Sequence, residues 1–259
     1  MMNKAIKIIT SIAVPALILM PTAVSLAATT PVNSQVTLTQ TEIQQGQQRQ
    51  AQIIQMLHRS STSSNKGGSG TYNSIGAPAG SNASIGNMTE SDNGSTCGPI
   101  SAWNLLYGVM GSNTPSITTL ESDLGWTSSN GTPLSKAWST TLNNNQSIYN
   151  YTVISDPTPQ DVFLDTVGTV GFSHIGNVEN IIGYLPGYNS VWYLGYTYHY
   201  VTGYEYNNYG TNNTSLETET WWDESDINAN GHVITNSVSQ LQSLAGSGQP
   251  GLNFQGVIS

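Results

Sequence analysis

The chain opens on an apolar run, Ile8 to Met20, set behind Lys4 and Lys7 and followed by the small-residue stretch Ser25-Leu26-Ala27-Ala28. That order is the pattern of a secretory signal cleaved after Ala27. The other reading, a membrane-spanning anchor, has to use a run that is short for a bilayer and interrupted at Pro15. No later stretch is long and apolar enough to span. From Thr41 to His58 a Gln-rich segment places Ile43, Ile53, Ile54, Met56 and Leu57 on one helical side, which predicts a helix. Residues 60–90 are Ser, Gly and Asn with few large apolar groups, and predict a linker or loose arm. Three parts follow: a signal over 1–27, a helical arm and linker over 28–87, and a domain over 88–259. The middle part is either a propeptide or a plain spacer.

Within 88–259 the periodicity changes character. Ser101 to Met110 reads as a helix, with Ile100, Trp103, Leu106 and Tyr107 along one face. Pro115–Leu124 and Pro133–Leu142 are weaker helical patterns, Val178–Leu185 a short one, and Val238–Leu244 a late one. Val191–Tyr206 is rich in Val, Tyr and Trp, and Leu216–Trp222 alternates with Glu and Thr, so both read as strands. Asn207–Thr214 between them is a turn region. Helices first and strands afterwards predict an α+β domain.

Charge narrows the partners. Removal of the signal leaves Arg49, Arg59, Lys66 and Lys136 against fifteen Asp and Glu. Such a surface repels nucleic acid and anionic lipid, so neither is expected as a partner, and no membrane association is expected after cleavage. Few charges among many neutral polar residues suit an extracellular or cell-surface protein, and an acidic setting in particular. One cysteine cannot close an internal disulfide. It is a free reactive thiol, an intermolecular link or a buried structural residue. There is no HExxH helix, no GxSxG elbow and no phosphate-binding Gly loop. The four His and one Cys lack zinc spacing, so no metal and no cofactor is expected.

The neighbours of the cysteine distinguish among its readings. In Ser95-Thr96-Cys97-Gly98-Pro99-Ile100-Ser101, Pro99 suits a first helical turn and Gly98 permits a close approach of the backbone to a ligand. Cys97 then stands at a helix mouth, where N–H groups and the helix dipole lower a thiol pKa and can hold an oxyanion. A base is needed. His58 lies in the arm, His174 in a loop and His232 after a turn, whereas His199 lies on a strand, in Tyr198-His199-Tyr200-Val201-Thr202-Gly203-Tyr204. Asp223 ends the next strand and, in a hairpin, reaches the imidazole side away from sulfur, with Glu224 and Asp226 as competitors. The aromatics Trp192, Tyr193, Tyr196, Tyr198, Trp221 and Trp222 either line a groove or pack the sheet.

Cys-Gly-Pro opening an apolar helix, His-Tyr-Val-x-Gly-Tyr on a strand, then an aromatic pair and Asp, resemble the papain-like cysteine peptidases related to the bacteriocin-leader-processing (double-glycine) peptidases. The resemblance covers about 88–230 in order, closely only at those three segments. It implies a papain-like fold in which the nucleophile helix packs on an antiparallel sheet carrying His and Asp. It also implies a secreted thiol protease acting on peptide or protein substrates, with Cys97, His199 and Asp223 catalytic. Members of that family often carry a Gln six positions before the Cys. Here that position is Ser91, so Ser91 or Asn93 is expected as oxyanion donor instead. The alternatives are an acyl transferase, transpeptidase- or transglutaminase-like, on the same site, and an inactive cell-surface binding module.

Overall fold

The computed structural model describes residues 36–62, 77–90, 96–183, 198–224, 232–246 and 252–259. The expected signal over 1–27, most of the linker, Ser91, Asn93 and the aromatics Trp192, Tyr193 and Tyr196 lie outside the described residues. Among the described residues, six α-helices and seven strands follow in the order α1 (Gln40–Thr62), β1 (Ser81–Asn82), α2 (Cys97–Met110), α3 (Ile117–Leu124), α4 (Ala137–Asn145), β2 (Val153–Ser155), α5 (Pro159–Ser173), β3 (Asn177–Gly183), β4 (His199–Asn207), β5 (Thr218–Asp223), β6 (His232–Ser237), α6 (Val238–Gly246) and β7 (Leu252–Ile258). The domain is α+β, as the order of patterns predicts.

The strands form one antiparallel sheet, β2-β7-β3-β4-β5-β6, with β1 paired to the far end of β4. Central β4 is covered on both faces. On one, Tyr200 packs against Trp138 and joins the α2 residues Leu105 and Leu106 in one core, and Thr202 Oγ1 donates to the Ser101 carbonyl of α2. On the other, Val201 meets Val162 of α5 and Leu241 of α6. Alternation along β4 therefore sends successive side chains to opposite helical layers.

Several elements differ from the sequence pattern for identifiable reasons. Val178–Leu185 reads as a helix because Val178, Ile181 and Ile182 recur at helical spacing. Its described part, through Gly183, lies in β3, since a central strand buried on both faces carries no alternation to read. The α2 stripe is also different: Ile100, Ala102, Leu105 and Leu106 are buried, whereas Tyr107 is exposed and stacks on Trp103 at 4.6 Å. A helix apolar on most sides is a core helix, and its buried face is not legible from period alone. Helix α5 was not expected. It starts with a full capping box, in which Thr158 Oγ1 accepts from the Asp161 N–H and Asp161 accepts from the Thr158 N–H, with Pro159 in the first turn.

The described parts of the expected arm and linker, residues 36–62 and 77–90, belong to the same compact unit as the domain. Ile53 and Leu57 of α1 are buried with Phe163 and Val167 of α5. Residues 83–90 run as a strap along α2. The Ala83 N–H donates to the Tyr204 carbonyl at 2.7 Å and the Gly86 N–H to the Asn104 carbonyl at 2.7 Å. The Asn104 side chain accepts from the Met88 N–H and donates to the Met88 carbonyl, at 2.7 and 3.0 Å. Backbone pairing holds this segment where its composition alone offers little surface to bury.

Candidate active site

Three elements deliver the site. Cys97 is the first residue of α2, His199 the first of β4 and Asp223 the last of β5. The β4–β5 register sets Thr202 opposite Trp222, and continuing it brings Asp223 alongside Val201, near the start of β4 where His199 stands. The Asp223 Oδ1 lies 2.9 Å from His199 Nε2, both groups buried. With Nε2 committed to Asp223, Nδ1 is the nitrogen left for sulfur, and the Cys97 thiol and the His199 imidazole lie close enough for each to act on the other's protonation. The structure thus brings Cys97, His199 and Asp223 together in chain.

The competitors separate. Glu224, next to Asp223, turns instead to α2, where Ser101 Oγ donates to its Oε1 at 2.9 Å. Asp226 and the side chains of His58 and His232 lie outside the described residues. His174 caps the end of α5 in the left-handed region, φ 53°, exposed, with Nδ1 3.5 Å from Ser81 Oγ of β1. Gly98 has a different role from the one its position suggests. A Cβ there would come within 2.4 to 2.9 Å of the Thr132 side chain, so the glycine admits buried Thr132 against the helix mouth rather than a ligand. Of the aromatics, Trp221 is fully buried in the sheet core. Trp222 is half-buried and donates from Nε1 to the Met88 carbonyl at 3.2 Å. Tyr198 donates to the Asn130 carbonyl.

Electrostatics correct one expectation. Cys97 is 3% exposed, and burial pushes its thiol above the ordinary value despite the opposing hydrogen bond and charge of His199. Glu90 and Glu224 push it further up. Desolvation here outweighs the helix mouth, where a lowered thiol was expected. For His199 burial pulls downward, but the charge and hydrogen bond of Asp223, followed by those of Cys97, raise it well above the usual imidazole value. Both groups are thus favoured in their protonated forms, the thiol by burial and the imidazolium by the buried carboxylate beside it. An imidazolium beside sulfur can neutralise a thiolate and can protonate a departing amine.

One buried acid near the site was not singled out from the sequence: Glu90, 2% exposed at the end of the strap. Glu224, expected as a competitor of Asp223, is instead a partner of α2. Against known proteins, no family model, curated protein or solved structure matches the chain.

Proposed function

We propose that the protein is a secreted cysteine peptidase on a papain-like variant of the α+β fold, with Cys97 as nucleophile, His199 as proton carrier and Asp223 as its orienting carboxylate. The observation that carries this reading is the buried His199–Asp223 pair, 2.9 Å apart, beside the buried Cys97 thiol at the start of α2. The Cys97 sulfur, as thiolate, attacks a peptide carbonyl carbon. The C–S bond forms as the carbonyl π pair moves to oxygen. Collapse expels the amine, which takes the proton from His199 and leaves a thioester. Water then attacks, giving its proton to the neutral His199, and the acid departs from sulfur. The first-turn N–H groups of α2, at Cys97 and Gly98, are the donors that would hold the developing oxyanion. Location outside the cell rests on the N-terminal pattern of residues 1–27 and on the few charges among many neutral polar residues.

The test is cleavage of an unfolded protein and of a mixed fluorogenic peptide library by the mature chain, Cys97→Ala and His199→Ala. The expected result is turnover lost in both variants, and a product spectrum shifted to amides when an amine is added if acyl transfer competes. Turnover that survives Cys97→Ala refutes the reading. An inert wild-type chain favours the binding-module alternative.

A further inference from the structure

Arg49 and Lys136 are the Lys and Arg residues whose side chains the structure describes, and both line one groove. The groove, about 330 Å³, lies between α1, the start of α4 and the segment 150–153 that leads into β2. Its walls are fixed. Gly46 lets α1 sit directly on β2, since a Cβ there would meet the Val153 carbonyl oxygen at 2.5 Å. Tyr151 is tied to α4 by the Asn143 side chain, which accepts from its N–H at 2.7 Å and donates to its carbonyl at 2.9 Å. Arg49 is held as well. Its Nη2 donates to Tyr149 Oη at 2.7 Å, and the guanidinium carbon lies 5.1 Å from the centre of that ring. Its Nε is buried and finds no acceptor among the described residues. Neither cation is paired with a carboxylate among the described residues. Glu42 shares the groove, but its Oε2 accepts from the N–H and Oγ1 of Thr39 at 2.8 and 2.9 Å. Those bonds hold its carboxyl below the ordinary value, so it stays ionised. The three groups together leave one positive charge over.

We propose that this groove binds a sugar acid, with its carboxylate answered by Arg49 and Lys136 and its hydroxyls by the amides and hydroxyls around them. The chain as a whole is acidic and repels anions, so an anion site has to be local, where cations gather. A planar guanidinium with free N–H groups matches a carboxylate. One surplus positive charge suits a monoanion. A phosphomonoester brings close to two negative charges and meets Glu42 as well. The rest of the lining selects the body of the ligand. Gln45, Gln48 and Gln52 face the groove from α1, with Ser139 and Asn150 from the other walls. Each amide offers donors and an acceptor, which suits neighbouring hydroxyls. Sites for apolar ligands are lined mostly by hydrophobic and aromatic side chains, and this one is mostly polar. The site uses nothing from Cys97, His199 or Asp223 and stands apart from the peptidase reading.

Isothermal titration calorimetry of the mature chain at about pH 5, where a carboxylate is ionised, compares glucuronate, glucose, propanoate and inorganic phosphate. Glucuronate should bind with a Kd of about 1 mM or tighter, and more weakly as NaCl is raised. Glucose lacks the charge and propanoate lacks the hydroxyls, so each should bind at least about tenfold more weakly. Lys136→Gln should weaken glucuronate about tenfold, and Lys136→Glu should abolish its binding, both with the wild-type melting temperature. Arg49→Gln should weaken it at least as much as Lys136→Gln. If Arg49→Gln fails to fold by thermal melt, the Lys136 variants decide alone. Tighter binding of a galacturonate trimer than of the monomer makes a polysaccharide the source, and weaker binding makes it a free sugar acid; either supports the proposal. No saturable glucuronate binding up to about 10 mM overturns it. Equal affinity for propanoate, glucose or phosphate also overturns it, as do Lys136 variants that bind as wild type does. Every arm reads binding, so the outcome is independent of whether the chain turns over peptides.

Discussion

Beneath α5, on the sheet face away from α2, three carboxyl groups are fully buried: Asp165 of α5, Glu179 of β3 and Glu219 of β5. Thr166 Oγ1 lies 3.3 Å from Glu219 Oε2 and accepts from Asn177 Nδ2 at 3.0 Å. Gly203 of β4 makes room for the group, since a Cβ there would meet Asn177 Oδ1 at 2.2 Å and Glu179 Oε1 at 2.5 Å. Burial pushes Glu219 from 4.5 up to about 8, and raises Glu179 and Asp165 well above the carboxylate range. These protons belong to the fold. Below about pH 4.5 both folded and unfolded chains hold them and the stabilisation is complete. Between there and about pH 8 the unfolded chain releases its proton and the folded chain does not, so stability falls as pH rises. For Glu219 alone the loss is on the order of 5 kcal/mol, at about 1.4 kcal/mol per pH unit. That is comparable to the whole stability of a domain, about 5–15 kcal/mol. Glu219→Gln keeps the shape and removes the titration. In melts followed by circular dichroism, wild type should lose melting temperature steadily from about pH 4.5 to about pH 8. Glu219→Gln should flatten that slope and melt on the order of 10 °C higher near pH 8. A wild-type melting temperature that is level or rises over that interval refutes the reasoning, as does an equal slope in the variant.

Two further predictions concern the site. Asp223→Asn removes the charge that lifts His199 and leaves burial, which pulls it down. The imidazole midpoint by NMR should drop, and kcat/KM should fall by about 10³-fold or more. Because the ion pair stabilises the fold below the raised His199 pKa, the variant should be less stable on the acid side and converge with wild type as pH rises through that value. Gly98→Ala drives a Cβ into Thr132 and should cost about 1–3 kcal/mol in urea denaturation, with an unchanged denaturant slope.

The parts of the site legible in the sequence are those with local signatures. Cys97-Gly98-Pro99 announces a helix start, and His199 and Asp223 sit at strand ends where alternation and turn residues can be read. Glu90 and the Asp165, Glu179 and Glu219 cluster carry no such signature. Glu90 lies in a stretch that reads as a loose linker and Glu179 and Glu219 in stretches that read as a helix and an alternating strand, and only tertiary closure by the strap and by α5 buries these carboxyls. Helix α5 did carry its own signal, the Thr158-Pro159-Gln160-Asp161 cap. The run behind it, with Val162, Thr166, Val167, Gly168, Thr169 and Val170, has weak helix formers that packing overrides. The β3 strand illustrates the reverse error, in which accidental helical spacing outweighed three apolar side chains that belong to a doubly covered sheet.

The account stands on Cys97 as a nucleophile that His199 serves. Intact-mass spectrometry of the mature chain, quenched in acid during turnover of p-nitrophenyl acetate, reads this directly. It should find one acyl group per chain, mapped to Cys97 and absent from Cys97→Ala. The group should form at least an order of magnitude more slowly in His199→Ala. An unmodified Cys97 during turnover, or equal acylation rates with and without His199, would contradict it.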